Sequence, residues 1–208
     1  VTGQNVEILP NPSIPEHIYE WAKANPNHPW LKQKSSPVIL GMGRFTKRKD
    51  FSTLIRAFSM FLEKLQARLI LVGDGEQKEH LQQLAAKLNI ESYIHFPGFT
   101  KNPYAYMSRA DLLVLSSTGA EGSPNVLKEA LALGLPVVST DCPSGPREIL
   151  DDGRLGCLVP VQDPQAMSRA MLKTLREPTN PEHLRKAARK YSARSAAKSY
   201  LQELGLLS

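Results

Sequence analysis

Length, composition and charge exclude several classes of protein before any motif is considered. The chain has 208 residues, and its 41% hydrophobic and 22% charged residues are ordinary proportions for a soluble globular protein with one large core. No run approaches the roughly 18 apolar residues of a membrane span, and the first ten residues lack the features of a secretory signal. The sequence does not begin with Met, so we expect a piece of a longer protein.

The net charge of +6, from 26 basic and 20 acidic residues, fits a solvated surface, a phosphorylated ligand or a polyanionic partner. No helix-turn-helix, aromatic platform or zinc spacing accompanies the charge, so we expect no nucleic-acid partner. Cys142 and Cys157 have neither metal spacing nor disulfide density, which predicts buried thiols in a cytosolic protein.

The order of elements predicts three regions. Residues 1–36 are rich in Pro and Asn and are predicted to form a connecting segment with a short helix near residues 15–23. Residues 37–180 alternate apolar runs with helical spacing, and residues 181–208 are predicted to form a tail of two helices. The predicted strands are 38–42, 68–72, 93–96, 111–115, 136–140 and 156–159. The predicted helices that follow these strands in turn are 50–65, 76–88, 102–109, 123–133, 146–150 and 164–176.

This alternation predicts the fold class. Short, continuously apolar strands between amphipathic helices are typical of an α/β domain, with a doubly wound, mostly parallel Rossmann-like sheet covered by helices on both faces. Ligands of such sheets bind at the carboxyl ends of the strands. The loops after the strands are therefore the places to look for chemistry.

The first of these loops carries four cations between Gly43 and Asp50. Arg44 offers a planar fork for phosphate and Lys49 a compact charge, so the two could converge on one anion; the alternative is a solvated basic loop. The loop at 73–75, Gly-Asp-Gly, lacks the third glycine of a dinucleotide fingerprint and is predicted to be a tight turn rather than a phosphate cradle.

The loop after the fourth strand has the strongest pattern. Ser123 is predicted to cap the following helix, with Pro124 as its first residue, and the backbone N–H groups after Gly122 would suit a diphosphate. The side chain of Glu129, in the second turn, would lean toward the N-terminal end of this helix and could accept hydrogen bonds from ribose hydroxyls. Glu121 precedes the helix and could bind hydroxyls beyond the phosphates. Surface ion pairs are the alternative for either glutamate.

The loop after the fifth strand also opens a helix. Gly145 could bring the backbone near a ligand, and Glu148 could simply stabilise the helix start.

These residues, in this order, resemble the family-4 glycosyltransferases, a retaining group with the GT-B fold. The resemblance rests on Arg44 and Lys49, on the turn Phe-Pro-Gly-Phe at 96–99, and on Glu121 and Glu129 with seven residues between them. It runs from about Asn11 to the tail. It implies that the chain is the second, nucleotide-sugar-binding domain of two, and that the acceptor domain lies elsewhere.

The resemblance also implies roles. Arg44 and Lys49 would neutralise the leaving diphosphate, Glu129 would hold the ribose and Glu121 would position the transferred sugar, with Glu121, Arg44 and Lys49 as the catalytic set. Asp50 departs from the family, which usually has Gly at this position. The implied nucleotide-sugar site comprises Arg44, Lys49, Gly98, Phe99, Thr100, Glu121, Gly122, Ser123, Pro124, Asn125, Val126 and Glu129.

The expected function is therefore transfer of a sugar from a UDP- or GDP-sugar to a glycan or lipid-linked acceptor, in cell-surface polysaccharide synthesis. We expect no cofactor and no metal, because the cations would take the metal's place. The alternatives are a sugar-nucleotide epimerase of the same fold and a non-catalytic nucleotide-sugar-binding module.

The expected location is the cytoplasm. The basic tail leaves open a peripheral contact with the inner face of an anionic membrane, although a solvated helix face is the favoured interpretation. The cations concerned are Arg185, Lys186, Arg189, Lys190, Arg194 and Lys198.

Overall fold

The computed structural model describes residues 12–204 and residue 206. Residues 1–11, which include the start of the predicted connecting segment and Asn11, lie outside the described residues, as do residues 205, 207 and 208 of the predicted tail. The strands are β1 Val38–Met42, β2 Arg68–Val72, β3 Ile94–Gly98, β4 Leu112–Leu115, β5 Val137–Thr140 and β6 Cys157–Val159. The helices are α1 Ile18–Ala22, α2 Pro29–Lys32, α3 Phe51–Leu62, α4 Lys78–Lys87, α5 Pro103–Met107, α6 Asn125–Leu133, α7 Pro146–Ile149, α8 Pro164–Arg176, α9 Pro181–Ala188 and α10 Ala193–Glu203.

The six strands form one sheet in the order β3-β2-β1-β4-β5-β6, and every neighbouring pair is parallel. The order reverses between β1 and β4, and ligands of open α/β sheets bind at such a reversal. The predicted doubly wound, Rossmann-like sheet is confirmed.

Alternate residues along each strand enter two separate cores. Leu40 of β1 and Ile70 of β2 pack with α1, α5, α6 and α9 on one face. Ile39 of β1 and Leu69 of β2 pack with α3, α4 and α8 on the other. Helices cover both faces because both sets of strand side chains are apolar, as the continuous runs predicted.

The chain on either side of the sheet packs onto the first of these cores. The backbone N–H groups of Ser13 and Ile14 both donate to the carbonyl of Tyr191, at 3.1 and 3.2 Å. Ile14, Leu184 and Tyr191 are buried in the same cluster as β1. The connecting segment, as far as it is described, and the helical tail therefore stabilise the sheet that they flank.

Two local features differ from the sequence prediction. The strand expected to break at Pro97 continues to Gly98, because β3 lies at the edge of the sheet and an edge strand tolerates a residue without an N–H donor. Helix α2 was not predicted. It begins at Pro29 after His28, whose imidazole Nδ1 accepts a hydrogen bond from the Trp30 N–H at 3.2 Å.

The thiols and the tail cations are only partly as expected. Cys142 and Cys157 are both unpaired, but only Cys142 is buried.

Arg185 pairs with Glu182 and donates to the carbonyl of Leu133 at 3.3 Å, so it supports the packing of α9. The other predicted tail cations are exposed: Lys186, Arg189, Lys190, Arg194 and Lys198. Among the described helices, none is long and apolar enough to cross a bilayer.

A buried histidine joins the connecting segment to β3. His28 Nε2 lies 2.7 Å from His95 Nδ1, and His28 is 2% exposed. Because Nδ1 of His28 accepts from Trp30, its Nε2 must carry the hydrogen and donate to His95. Burial, with a smaller contribution from His95, lowers the pKa of His28 to about 4.

Two glycines allow the loops after β1 and β2 to lie against each other. A Cβ atom on Gly73 would stand 1.9 Å from the carbonyl oxygen of Gly43, and one on Gly75 would stand 2.6 Å from that of Phe45. The Phe45 N–H donates to the carbonyl of Asp74 at 2.8 Å. The glycines at 73 and 75 therefore serve the packing of one loop on another.

The Gly73 contact predicts a large loss of stability on Gly73→Ala. We expect a loss of about 2 kcal/mol or more in urea unfolding, because the Gly43 backbone would have to move. Gly153→Ala is the control, since Gly153 also has a positive φ (93°) but no atom within 4 Å of the added Cβ, and backbone strain alone costs only about 1–2 kcal/mol. Equal losses in the two variants would contradict the close-approach argument.

The lowered pKa of His28 predicts acid sensitivity. The unfolded chain takes up this proton near pH 6.5 and the folded chain only near pH 4, so stability from this group is complete above about pH 6.5 and declines toward pH 4. The decline should approach 3 kcal/mol, on the order of 1.4 kcal/mol per pH unit. Unfolding measured across this range should show a shallower decline in His28→Gln and an unchanged one in His183→Gln, an exposed control.

Candidate functional site

A cavity of about 570 Å³ lies at the carboxyl ends of β1 and β2, within the range of small-molecule sites. Its walls come from the loops after β1, β2 and β3 and from helices α5 and α6, so it lies beside the reversal of strand order. The lining residues are Met42, Gly43, Arg44, Val72, Gly73, Asp74, Phe99, Thr100, Pro103, Met107, Val126 and Glu129.

Arg44 and Glu129 bring opposite charges to this cavity. Arg44 follows β1 and is exposed, and it forms no salt bridge with any described residue. Glu129 lies in the second turn of α6, and side chains of a helix lean toward its N-terminus. The cavity therefore offers a cation for an anionic group and a carboxylate for hydroxyl donors.

The Glu129 carboxylate is held by a residue that the sequence did not indicate. The hydroxyl of Tyr104, in the first turn of α5, donates to Glu129 Oε1 at 3.2 Å. Burial raises the pKa of Glu129, and the Tyr104 hydrogen bond and the nearby Lys128 only partly oppose it. Burial and the Glu129 charge raise the pKa of Tyr104 to about 12, so Tyr104 keeps its proton at neutral pH.

Lys128 adjoins Glu129 in sequence but its ammonium lies in the interface between α6 and the tail. The residue is fully buried, and Nζ has no hydrogen-bond partner among the described residues. It lies 4.9 Å from the ring centroid of Tyr191, a favourable position for a cation over an aromatic face. Burial lowers the pKa of Lys128.

Glu121 stands in a second cluster, at the start of α6. Its side chain is 4% exposed, with Oε2 2.6 Å from Lys49 Nζ and Oε1 2.9 Å from a guanidinium nitrogen of Arg48. Arg48 also donates to the carbonyl of Ala120 at 2.8 Å. Lys49, predicted to meet the diphosphate, and Glu121, predicted to meet the sugar attached to it, are thus in direct contact. Arg48 was not predicted to take part.

The start of α6 differs from the prediction. Asn125 is the first helical residue and Pro124 is the N-cap, with an extended ψ of 109°; Ser123 is exposed and was wrongly predicted to be the cap. The reason is tertiary: Pro124 is buried against Gly145, where an added Cβ would stand 2.6 Å from Pro124 Cδ. Because Pro124 has no N–H, the first helix amide available to an anion is that of Asn125.

The loop after β5 supports this start. A Cβ atom on Gly145 would stand 2.5 Å from the carbonyl oxygen of Gly122, so Gly145 admits protein backbone rather than the ligand suggested by the sequence. The Gly122 N–H donates to Ser144 Oγ, and the Glu121 N–H to the carbonyl of Pro143, both at 3.3 Å. These contacts hold the segment that precedes α6.

Asp50 takes the place of the glycine that is usual after Lys49 in the family that the sequence resembles. Its backbone is left-handed, with φ 43° and ψ 49°, a conformation that Asp tolerates better than most residues. Its carboxylate accepts from the Thr53 N–H at 3.2 Å and from the Thr53 hydroxyl at 2.6 Å. Asp50 therefore caps α3 and leaves Lys49 in place.

The residues predicted from the sequence fall into two groups in space. Arg44, Phe99, Thr100, Val126 and Glu129 line the cavity, and Phe99 is 78% exposed at its wall. The others do not line it: Lys49, Gly98, Glu121, Gly122, Ser123, Pro124 and Asn125. Of these, Gly98 ends β3, Lys49 and Glu121 form the ion pair, and the remaining four make up the turn before α6 and its first residue.

Comparison with known proteins adds a family. A model of the family described as "Glycosyl transferases group 1" matches residues 25–191. An uncharacterised glycosyltransferase of Methanocaldococcus jannaschii is 43% identical over 152 residues, which cover 69% of this chain and 36% of the relative.

A second relative is the N-acetylgalactosamine-N,N′-diacetylbacillosaminyl-diphospho-undecaprenol 4-alpha-N-acetylgalactosaminyltransferase of Campylobacter jejuni. It is 38% identical over 162 residues, which cover 78% of this chain and 42% of the relative. The chain thus spans well under half the length of these curated relatives.

Solved structures share the fold. A crystal structure of Anabaena HepE in complex with UDP matches with a TM-score of 0.75 at 22% identity, over 83% of this chain and 49% of that one. The lipopolysaccharide outer core galactosyltransferase WaaB in its apo form matches with a TM-score of 0.79 at 21% identity, over 99% of this chain and 57% of that one. At such identities the likeness establishes the fold alone.

The Glu121 cluster predicts a loss of stability on Glu121→Gln. We expect the free energy of unfolding to fall by about 1–3 kcal/mol, because Lys49 would keep a largely buried cation without its carboxylate. Asp151→Asn is the control, since it removes an exposed ion pair with Arg154 and Asn also tolerates the left-handed backbone of residue 151. A loss no greater than in this control would show that the Glu121 pairs stabilise the fold no more than an exposed ion pair does.

Proposed function

Because the chain belongs to the group 1 glycosyl transferases, we propose that it is the donor-binding domain of a retaining enzyme that transfers a sugar from a nucleoside-diphosphate sugar. The acceptor would be a glycan or lipid-linked saccharide in cell-surface polysaccharide or lipopolysaccharide synthesis. It would be held by a part of the protein beyond this chain, which spans well under half of its curated relatives.

One observation carries the proposal. Arg44 and Glu129 face the same cavity, at the reversal of strand order in a parallel sheet, and the start of α6 lies beside them. A cation and helix amides suit a diphosphate, and a half-buried carboxylate suits a pair of vicinal hydroxyls. These are the recognition elements of a nucleoside diphosphate with a ribose.

The Glu121 and Lys49 pair gives the proposal its reactive end. Lys49 would meet the phosphate nearest the sugar, and Glu121 would accept hydrogen bonds from the sugar hydroxyls. Their 2.6 Å contact supports this assignment, because the two groups that they would bind are joined by the bond that breaks. Arg48 would remain as a second partner of Glu121 and keep the carboxylate oriented.

The proposed chemistry is electrostatic. Cleavage of the bond between sugar and diphosphate leaves charge on the phosphate and an oxocarbenium-like sugar, and fixed cations and helix N–H groups act where that negative charge appears. We propose that Arg44, Lys49 and the first amides of α6 serve in place of a metal ion. Retention of configuration would follow with the donor phosphate as base.

UDP is the first choice of nucleotide to test. HepE, which shares the fold, was crystallised with UDP and, in another complex, with UDP-glucose. Phe99 and Thr100 in the cavity wall are the residues that we propose to lie beside the base. GDP remains the second choice, because a site that reads a base through its backbone leaves little trace in side chains.

The decisive experiment is a binding panel with this chain. We expect UDP or GDP to raise the melting temperature more than ADP, and calorimetry to show Arg44→Ala weakening binding of the diphosphate by about tenfold or more. Binding of the nucleoside should change little, because Arg44 faces the phosphates. Lys49→Ala should act in the same direction.

Arg56→Ala is the matched control for this panel, because it removes one exposed cation from α3 at a distance from the cavity lining. It should leave diphosphate affinity unchanged. The proposed function fails if no nucleoside diphosphate stabilises the chain. The phosphate role of Arg44 fails if nucleoside and diphosphate lose affinity equally, or if Arg56→Ala has the same effect.

A further inference from the structure

Tyr104 approaches Glu129 from the protein side of the cavity. Its hydroxyl lies 3.2 Å from Glu129 Oε1 and the residue is 7% exposed. Pro103 and Met107 of the same helix line the cavity, and Tyr104 does not. The hydroxyl therefore contacts the carboxylate from behind, without occupying the space that a ligand would need.

The surroundings of Tyr104 restrict its movement. Its ring centroid lies 6.3 Å from that of His17, which precedes α1, and 6.3 Å from that of Trp21 within α1. Asn102 caps α5 by accepting from the Ala105 N–H at 3.3 Å, and its side-chain amide donates to the carbonyl of Trp21 at 2.9 Å. The hydroxyl is thus held by packing against the connecting segment and by the anchoring of its own helix.

This contact limits how the carboxylate can bind a ribose. A carboxylate has about four acceptor positions, and the Tyr104 bond uses one on Oε1 and sets the orientation of the group. Oε2 and the remaining position on Oε1 can then accept from two vicinal hydroxyls. A sugar that lacks the 2′-hydroxyl would leave one of these positions covered by the ligand but without a donor, which weakens binding.

We propose that Tyr104 is a positioning residue that orients Glu129 and thereby makes the site prefer a ribonucleotide over its 2′-deoxy counterpart. This inference rests on the proposed function, because it assigns Glu129 to a ribose. It adds a residue of α5, and through it the packing of α1, to the determinants of donor specificity.

The charge of Glu129 depends on the same contact. The titratable and charged groups that face it are Tyr104 from α5 and Arg44 and Asp74, which line the same cavity; Lys128 of its own helix acts through its charge from the interface with the tail. Burial raises the pKa of Glu129 and the Tyr104 hydrogen bond lowers it. Removal of the hydroxyl should therefore raise the pKa further, so that the carboxylate takes up a proton at a higher pH.

The test compares UDP with 2′-deoxy-UDP by calorimetry in the wild-type chain, Tyr104→Phe and Tyr106→Phe. We expect the wild type to prefer UDP by about tenfold or more, and Tyr104→Phe to bind UDP about tenfold more weakly with most of the preference lost. Tyr106 lies on the same helix and makes no hydrogen bond to Glu129, so its variant should behave like the wild type.

A second measurement follows the titration of Glu129 directly, by carbon-13 NMR of its carboxyl group. The midpoint should move to higher pH in Tyr104→Phe, with a matching upward shift of the acid limit of UDP binding, and should not move in Tyr106→Phe. A change of packing alone would lower affinity for both nucleotides equally and leave the midpoint in place.

The outcomes separate this inference from the proposed function. If the wild type binds UDP but Tyr104→Phe keeps both the preference and the midpoint, the role of Tyr104 is wrong and the function stands. If the wild type binds no nucleoside diphosphate, the proposed function and the preference fall together. The positioning of Glu129 is then decided by the titration, and an unchanged midpoint in Tyr104→Phe overturns it.

Discussion

Two carboxylates at α6 are each held by groups from distant parts of the chain; the side chain of Glu121 is buried and Glu129 is half-buried at the cavity wall. Glu121 contacts Lys49 and Arg48 from the loop after β1, and Glu129 accepts from Tyr104 on α5. A buried carboxylate without a partner is costly, by several kcal/mol. The loop after β1, helix α5 and the start of α6 must therefore come together for the site to exist.

The sheet makes this meeting possible. Because β1 and β4 are neighbours and parallel, the loops that follow them leave the same edge. Ser116 Oγ, after β4, donates to the carbonyl of Lys49 at 2.8 Å, and the Thr118 N–H donates to that of Arg48 at 2.9 Å. These bonds join the two loops independently of the ion pairs between their side chains. The cavity thus lies beside the reversal of strand order. The same reversal brings together the loops that carry the charged side chains.

The parts of the chain around the sheet also act on the site. Helix α1 packs on α5 and braces Tyr104, and the loop after β2 rests on Gly43 through the missing side chain of Gly73. The loop after β5 supports Gly122 through Gly145 and Ser144. Residues without any direct role in binding therefore determine where Arg44, Glu121 and Glu129 stand.

The sequence by itself determined the parallel sheet and the resemblance to a glycosyltransferase family. The apolar runs at 38–42 and 68–72 agree with β1 and β2 as observed. A strand buried on both faces is apolar along its length, so its ends are visible in the sequence. Arg44 and Glu129 could be singled out from their residue types and their places after β1 and in α6, and the structure brings both to one cavity.

The tertiary structure alone decided the rest. The cap at Pro124 depends on Gly145, the partner of Glu121 on the register of two loops, and the part played by Tyr104 on the packing of α1 against α5. Each is a contact between residues more than twenty positions apart in the sequence. Local propensity and residue spacing act over one or two helical turns and carry no information about such contacts. The partner of a buried charge, however, is set by these long-range contacts.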